Sequence, residues 1–530
     1  MAKRRKSPGV LAWSARTSDV KASAAALVKT RQGLHGAKLP LFWFPFPWRT
    51  SPCIDTFGYM TPPSLRASSK LPFNAASRAL LDQLGDLMGD SGRETGIADS
   101  TLPAGFTYVG QFVDHDITLD VQSSLDVATN AETINNMRSP TLDLDALYAR
   151  GPALDPFLYA FPAPGAPLTA IKFATGSNQQ NGPGGPGGNG GAGGMVQKRD
   201  FDVPRIHNPL DPGTASLAAV IGDPRNDENL IVSQFHHAML RFHNKVVDEL
   251  VTKNFQGDIF VEAKRLVTHH YQWAVVHDFL ERICGAQAVT NAMQTVIAPP
   301  GSAFRMPVEF AVAAYRFGHS LIRDRYWLNH AFVNQPLSDV FDFIRKPNLP
   351  VRSNWVIDFN AFFETGVPVP VFNRARKFDT VLANGLEALP GMTGMMAILA
   401  RRNLLRGLAL GLPSGQAMAN FLGVPKLSAA QITTGLPAAE VALLNQNGAT
   451  LLQKTPLWYY VLREAAVIKN GDQLGPVGAA IVSRTFVRML KRDGSSYLHW
   501  PGGFTPSLKA KVQGQFTFAD VLIFAGANQP

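Results

Sequence analysis

The sequence predicts one large, mainly α-helical domain with long loops and little β structure. Apolar residues recur at every third or fourth position in four long segments, and strand-like alternation is scarce. Hydrophobic residues make up 45% of the 530-residue chain and charged residues 17%, which is a globular balance with ample core. The helical segments are FNAASRALLDQLGDLM (73–88), ENLIVSQFHHAMLRFHNKVVDELV (228–251), VEAKRLVTHHYQWAVVHDFLERIC (261–284) and PVEFAVAAYRFGHSLIR (307–323).

Proline and glycine divide the chain into an arm and a main domain. Residues 1–75 are punctuated by proline and predict an irregular amino-terminal arm, whereas residues 76–530 form the main domain. The aromatic stretch at 39–52 contains prolines that forbid a regular helix, so we expect it to lie extended over the main domain. The Gly-rich stretch within residues 176–195 has almost no side chains to bury and predicts a surface loop.

Charge and cysteine content exclude several classes of protein. The net charge is +10, but the basic residues are spread along the chain, so no nucleic-acid partner is indicated. Cys53 and Cys284 are too few for a disulfide framework or a thiolate metal site, although one disulfide stays open. No apolar run reaches about 18 residues, so no transmembrane helix is predicted. Since no secretory signal is visible, we expect a cytoplasmic protein or one exported without a cleavable amino-terminal signal.

The stretch YVGQFVDHDITLD (108–120) concentrates polar side chains in a segment hydrophobic enough to be buried. On a helix, Gln111 and His115 stand four residues apart on one face, where both can address one small ligand. Asp114 borders that face, and Asp116 points away from it. The alternative is an ordinary N-terminal helical turn whose acidic side chains complement the helix dipole.

Three further strings place polar side chains at helical spacing. GDPRNDEN sets Arg225 and Glu228 three residues apart at the start of a long helix. YRFGHSLIR places His319 mid-helix after a glycine, which leaves room for something flat to approach. RRNLLRG places Asn403 and Arg406 on one helical side. For the first two strings the alternatives are an ordinary proline-started helix and a satisfied core histidine.

A fifth string, SPTLDLDALY, predicts oxygen ligands for a cation. In an extended loop the alternating residues project their oxygen atoms to one side, as a hard cation such as Ca²⁺ requires. These residues are Ser139, Thr141, Asp143 and Asp145. The alternative is a polar loop with ordinary Asx turns.

Two pairs of adjacent histidines are not expected to bind a metal. Neighbouring imidazoles on a helix point about 100° apart, which is poor geometry for one ion. We expect packed or surface residues at His236, His237, His269 and His270.

Taken together and in this order, the five clusters resemble the animal-type haem peroxidases, the peroxidase-cyclooxygenase superfamily, over about residues 75 to 500. The resemblance implies the helical fold of that family. The family string Q-x-x-D-H-D matches 111–116. It implies that His115 is the distal histidine, Gln111 a distal hydrogen-bond donor and Asp114 an ester link to a haem methyl.

The remaining strings extend the resemblance to both sides of the haem. R-x-x-E implies that Arg225 is the catalytic arginine and that Glu228 forms the second haem ester. R-x-G-H implies that His319 is the proximal iron ligand and that Arg316 also binds the haem. N-x-x-R implies that Asn403 accepts a hydrogen bond from the proximal imidazole and that Arg406 pairs with a haem propionate. The implied calcium ligands are Asp116, Ser139, Thr141 through its carbonyl, Asp143 and Asp145.

The resemblance also implies the cofactors and the chemistry. The cofactors would be haem b, with ester links that depend on turnover with peroxide, and one structural Ca²⁺. The chain would be an oxidoreductase that uses H₂O₂ to oxidise halides, pseudohalides or small organic donors through an iron-oxo haem. Neutral His115 would move the proton, while Arg225 and Gln111 would stabilise the developing charge. Oligomeric state is not indicated.

The sequence departs from the family pattern at three points. Asn229 follows Glu228 where one mammalian member carries a methionine bonded to haem. Arg316 occupies the position, three residues before the proximal histidine, where the fatty-acid oxygenase branch needs a tyrosine, and Tyr315 comes one residue too early. The cysteine-rich framework of the secreted mammalian enzymes is absent, which suggests a microbial relative.

Two alternatives stay open within the superfamily. A fatty-acid dioxygenase would need a radical-forming tyrosine from elsewhere in the chain. A non-catalytic adhesion or structural module would have no need of the complete set of His115, Arg225 and His319.

Overall fold

The computed structural model describes residues 56–89, 99–120, 124–178, 200–207, 217–345, 350–389 and 392–528. Helices dominate these ranges and every strand is short, which confirms the mainly α-helical fold class. The α helices are α1 (Pro63–Ser69), α2 (Ala75–Leu87), α3 (Gly105–Ile117), α4 (Asp145–Tyr148), α5 (Leu230–Thr252), α6 (Ile259–Ala274), α7 (Glu281–Cys284), α8 (Ala286–Thr295), α9 (Leu337–Arg345), α10 (Leu399–Ala409), α11 (Gly415–Leu422), α12 (Ala429–Thr433), α13 (Ala438–Leu444), α14 (Gln446–Gln453), α15 (Leu457–Lys469), α16 (Pro476–Arg492) and α17 (Phe518–Ala525).

The β structure of the described residues consists of four two-stranded antiparallel sheets. Their pairs are β1 (Asp99–Pro103) with β8 (Arg374–Arg376), β2 (Tyr159–Ala160) with β3 (Lys172–Phe173), β4 (Arg205–His207) with β5 (Leu217–Ala219), and β6 (Arg325–Tyr326) with β7 (Gln335–Pro336).

Aromatic packing fixes α3 in the centre of the molecule. The ring of Phe112 meets Phe235 of α5 at a centroid distance of 5.3 Å and Tyr271 of α6 at 6.3 Å, both edge to face. The first residue of α3, Gly105, has no room for a side chain, because a Cβ there would lie 2.3 Å from the ring of Phe363. The helix therefore starts in close contact with the loop before β8 and runs through the core. The paired histidines of α5 and α6 are packed, as expected, and all four are buried.

The segment around residues 307–323 is helical but not a regular α-helix, contrary to the sequence expectation. A π-helix spans Glu309–Ala313 and a 3₁₀-helix spans Ala314–His319. At their junction the last residue of the π-helix, Ala313, has φ −125° and ψ −75°. Two contacts stabilise this change of winding. The rings of Phe310 and Tyr315 stack with their centroids 4.7 Å apart, and Arg316 Nε donates to the Ala311 carbonyl at 2.9 Å. His319 consequently ends a 3₁₀ turn instead of lying in mid-helix.

The first described residues pack onto the main domain. Phe57 and Leu71 are buried in its core. The buried carboxylate of Glu309 accepts hydrogen bonds from the main-chain nitrogens of Met60 (2.9 Å) and Thr61 (3.1 Å). Residues 56–75 were expected to be irregular, but they contain α1. The rest of the expected arm, with the aromatic stretch at 39–52, lies outside the described residues.

Most of the Gly-rich stretch also lies outside the described residues, which stop at 178 and resume at 200. Across the described ranges, no helix combines the length and the apolar character needed to cross a membrane.

A substitution at the contact between α11 and α15 tests how tightly these two helices pack. A Cβ added to Gly415 would lie 1.9 Å from Cγ of the fully buried Tyr460. We expect Gly415→Ala to lower the free energy of unfolding by about 1–3 kcal/mol, because the ring must leave its preferred position. Gly494→Ala is the control, since its Cβ would meet Pro300 at an ordinary 3.5 Å. Denaturant unfolding measures both variants, and equal stability of the two would contradict the assigned packing.

Candidate active site

One cavity is bordered both by α3 and by the 3₁₀ turn that ends at His319. It encloses about 1040 Å³ of non-protein space, part of it open to solvent. The residues singled out from the sequence that line it are Gln111, Asp114, Glu228, Arg316 and His319. Much of the remaining wall is apolar, and it includes Ile322, Leu337, Val340, Phe341, Leu386, Leu389 and Leu399.

The stretch 108–120 forms most of α3 and the residues that follow it, and Asp114 and Asp116 lie in the last turn of the helix, so the alternative of an N-terminal helical turn is wrong. Gln111 faces the cavity, and its amide nitrogen donates to the Glu228 carboxylate. The Asn229 side chain in turn donates to the Gln111 carbonyl oxygen at 3.1 Å. His115 is fully buried and does not line the cavity, so the structure does not bring Gln111 and His115 to one open surface.

His115 is held by the short 3₁₀ turn Pro224–Asp227. Arg225 Nη2 donates to the main-chain carbonyl of His115 at 2.9 Å. Nδ1 of the His115 ring lies 2.8 Å from Oδ1 of Asn226. The turn forms where the sequence predicts a proline-started helix, and the Asp223 side chain caps it by accepting from the Arg225 main-chain nitrogen at 2.9 Å.

Asp223 also lies between two buried guanidinium groups. Its Oδ2 accepts from Arg138 Nε at 2.9 Å and from Arg225 Nη2 at 2.8 Å. Burial alone would raise the pKa of this carboxyl, but Arg138 and Arg225 outweigh burial and hold the pKa well below its usual range. Asp223, Asn226 and Arg138 are not among the site residues predicted from the sequence. The Asp-Pro pair signals a cap, but no local pattern links residue 138 to residue 223.

On the other side of the site, Nδ1 of His319 lies 2.8 Å from the side-chain nitrogen of Asn403. The resemblance implied that Asn403 accepts from His319, whereas the structure turns its donor toward the ring; a half-turn of the amide would exchange the two atoms. Beside His319, a Cβ on Gly318 would meet no atom within 4 Å. The Trp458 indole donates to the Arg316 carbonyl at 3.1 Å and ties this turn to α15.

Three arginines, Arg316, Arg402 and Arg406, are buried close together in this region beside carboxylates. Arg316 Nη1 lies 3.9 Å from Asp114, and Arg406 Nη1 lies 3.6 Å from Asp120. Burial, with a smaller effect of Arg406 and Arg316, lowers the pKa of Arg402 to about 10. Sequence reasoning missed Arg402 and Asp120. The arrangement suits a ligand that carries negative groups.

The predicted cation ligands come together in a separate loop beside α3. Asp116, Asp143 and Asp145 each offer an oxygen, and these oxygens lie within 4.8 Å of one another. Burial raises the pKa of Asp116, and the neighbouring Asp145 and Asp143 raise it further. The carboxylates crowd because Leu144 adopts a left-handed conformation (φ 58°) and donates its main-chain N–H to Asp116 at 3.3 Å.

Ser139 and Thr141 lie in the same loop. The Ser139 main-chain nitrogen donates to Asp145 at 2.9 Å, and the Thr141 hydroxyl donates to Asp143 at 2.9 Å. Arg138, the residue before Ser139, also reaches Asp145 at 3.3 Å. The loop is therefore connected through Arg138 to Asp223 and to the turn that holds His115.

The fold and the cavity define a helical protein with a largely apolar pocket that is bordered by a histidine and an arginine. Residues 197–529 match the family model Animal haem peroxidase, and because this is more than half of the chain, the protein belongs to the animal haem peroxidase family. The matched range contains Arg225, Glu228 and His319 and begins after His115 and the acidic loop.

Individual relatives agree with this assignment. The peroxidasin homolog of Homo sapiens is 27% identical over 319 residues, which are 57% of this chain and 20% of the relative. The chain thus spans about a fifth of that protein's length. Peroxidase A from Dictyostelium discoideum has a TM-score of 0.53 and 17% identity, covering 83% of this chain and 88% of that one. The fatty acid alpha-dioxygenase of Oryza sativa has a TM-score of 0.50 and 12% identity, covering 75% and 70%. Both structures show the fold.

Family membership implies a haem cofactor, and the cavity residues fit one. The space beside Gly318 leaves His319 accessible to a flat ligand. Arg316 lines the cavity, where it can pair with a carboxylate of a ligand, and Arg406 borders a small neighbouring space together with Arg316. The apolar wall suits the macrocycle.

The Asp223 carboxylate gives the first test of the site. We expect Asp223→Asn to lower the free energy of unfolding by about 3–5 kcal/mol at pH 7, because two buried guanidinium groups lose their anion. The folded-state pKa of Asp223 is depressed, so its contribution is present above the unfolded pKa of about 3.9 and is lost as the pH falls toward the folded value. The difference in the free energy of unfolding between Asp223→Asn and the parent should therefore become smaller in acid.

Denaturant unfolding at several pH values measures this difference. Asp248→Asn is the control, because the half-exposed Asp248 pairs with Lys172 at the surface. It should change stability by less than about 1 kcal/mol. If Asp223→Asn unfolded at pH 7 with the same free energy as the parent, the assigned role of Asp223 as the partner of two buried arginines would be wrong.

Proposed function

We propose that the chain is a haem peroxidase that uses H₂O₂ to oxidise halides, pseudohalides or small organic donors. The observation that carries this proposal is the shared cavity. Gln111 and Asp114 of α3 and His319 of the distant 3₁₀ turn all border it, although they are far apart in the sequence. Family membership supports the same conclusion.

Haem bound in the cavity would supply the redox chemistry of peroxide reduction. His319 would hold the iron, with Asn403 at its Nδ1 to orient the ring. Asp114 and Glu228 line the cavity and are the residues that would form the ester links. Arg316 and Arg406 would meet the propionates.

His115 does not border the cavity, but the preceding residue Asp114 does, and His115 would move the proton of peroxide that reaches its ring from there. Its Nδ1 faces Asn226, so Nε2 is the nitrogen that would take the proton from one peroxide oxygen and return it to the other as water leaves. Arg225, bonded to the main chain of His115, adds fixed positive charge from outside the cavity lining. The Gln111 amide borders the cavity and would orient peroxide.

We propose further that the acidic loop binds one structural Ca²⁺. The oxygen-only set suits this hard cation, and its charge would offset the repulsion among three close carboxylates. The ligands would be Asp116, Ser139, Thr141 through its carbonyl, Asp143 and Asp145. Because Asp116 follows His115 directly in α3, the ion would tie the loop to the helix that carries the distal histidine.

The dioxygenase alternative has less support. Tyr315 lines the cavity, but its hydroxyl donates to the Gly110 carbonyl at 3.2 Å, and Arg316 holds the position three residues before His319. The likeness to a fatty acid alpha-dioxygenase is a likeness of fold. Oxygen uptake with an unsaturated fatty acid would favour this alternative, and a haem protein inactive toward every donor and fatty acid would favour a non-catalytic module.

Substitution of the two site histidines tests the proposed function. His319→Ala should abolish the normal Soret spectrum, because the iron loses its protein ligand. His115→Ala should keep the haem spectrum but lower kcat/KM for H₂O₂ by about 10²–10⁴-fold, the usual value of a general base. Absorption spectra and steady-state assays with halides and phenols measure these effects. The exposed His330 provides the control His330→Ala, which should behave as the parent. A normal Soret band in His319→Ala would refute the assignment of the iron ligand.

Calcium removal tests the acidic loop. Addition of Ca²⁺ at about 100 times its Kd should stabilise the chelator-treated protein by about 2.7 kcal/mol, since the ion binds the folded state. Asp143→Asn should lose most of this stabilisation. Asp126→Asn is the control, because the Asp126 side chain is 74% exposed and pairs with Arg78 at the surface. Thermal unfolding with Ca²⁺ and with EGTA measures the difference, and a parent without any Ca²⁺ response would exclude the site.

A further inference from the structure

Two hydrogen bonds behind His115 form a chain of three buried side chains. Nδ1 of His115 lies 2.8 Å from Oδ1 of Asn226, and Nδ2 of Asn226 lies 3.1 Å from Nδ1 of His236 in α5. None of the three residues is exposed to solvent. His236 is fixed in turn by its ring contact with Phe112 of α3, at a centroid distance of 5.9 Å.

The chemistry of the amide gives this chain a direction. An amide oxygen can only accept a hydrogen bond and an amide nitrogen can only donate one. With the Asn226 oxygen toward His115, as these two contacts place it, a neutral His115 ring carries its proton on Nδ1 and none on Nε2. At the other end, Nδ1 of His236 must accept. Burial lowers the pKa of His236 to about 3, with a smaller opposing effect of Asp223, so this ring stays neutral and able to accept.

Two neighbouring residues of one turn contact His115. Asn226 belongs to the same 3₁₀ turn as Arg225, and this turn contacts His115 twice. Arg225 binds the main-chain carbonyl and Asn226 binds the ring. One capped turn thus contacts both the main chain and the ring of His115.

We propose that Asn226 is a positioning residue that holds His115 in the tautomer with Nε2 available as a base, and that His236 orients the Asn226 amide. The inference rests on the proposed peroxidase function. Asn226 would touch neither peroxide nor haem and would act through His115.

The test compares two substitutions of nearly equal size in the haem-loaded protein. Asn226→Leu removes the acceptor, and we expect it to lower kcat/KM for H₂O₂ by about 10²-fold while the KM of the electron donor stays unchanged. Cyanide association with the haem should slow in parallel, because HCN must also lose a proton to a base in the site. Asn226→Asp keeps an acceptor for Nδ1 and should restore both rates to within about tenfold of the parent.

A matched control separates positioning from stability. Asn360 is also buried and bonds to Asp358 and Thr365, outside the cavity lining. Asn360→Leu should lower the Tm but leave the peroxide and cyanide rates at parental values. Parental rates in Asn226→Leu, or equal losses in Asn226→Leu and Asn226→Asp, would overturn the proposal.

A second measurement needs no substitution at Asn226, so it decides the question even if Asn226→Leu does not fold. Nitrogen-15 NMR of the histidine-labelled protein, in its ferrous carbon-monoxide form or as purified if it carries no haem, reports which ring nitrogen bears the proton. The His115 signals are identified by their loss in His115→Gln. A proton on Nδ1 supports the proposal and a proton on Nε2 overturns it. Failure of the proposed function would be seen separately, as a parent protein without peroxide-dependent oxidation.

Discussion

The carboxylate of Asp223, buried between Arg138 and Arg225, is the interaction on which the rest of the site depends. A buried guanidinium is costly without a partner, so the three groups must assemble together or not at all. Arg138 extends the cluster to Asp145 in the acidic loop, and Arg225 extends it to the main chain of His115. One carboxylate therefore joins the proposed calcium loop to the proposed distal histidine.

Helix α3 divides its side chains among three surroundings. Gln111 and Asp114 face the cavity, His115 faces the turn with Asn226, and Asp116 faces the acidic loop. Phe112, between them, packs into the core against α5 and α6. The high polarity of this buried helix is compatible with folding because its polar side chains meet partners or open cavity. A ligand and an ion would complete these surroundings.

The opposite side of the cavity depends on a change of helical winding. The π-helix and 3₁₀-helix between Glu309 and His319 bring His319 to the cavity border. A regular α-helix over the same residues would turn the side chains differently. Trp458 of α15 and Asn403 of α10 then fix this turn from behind. The geometry of His319 is thus a property of packing between distant segments.

The sequence by itself determined the helical fold class and the main clusters of polar residues, because helical period and short spacings are local properties that a chain carries in any context. Five residues that border the cavity, Gln111, Asp114, Glu228, Arg316 and His319, were identified in this way, whereas its apolar wall was not. Only the tertiary structure decided that Arg138 meets Asp223, that Asn226 rather than the cavity faces Nδ1 of His115, and that the amide of Asn403 meets Nδ1 of His319. These partners are separated by many residues, and the cost of burying unpaired polar groups selects them only once the helices have packed.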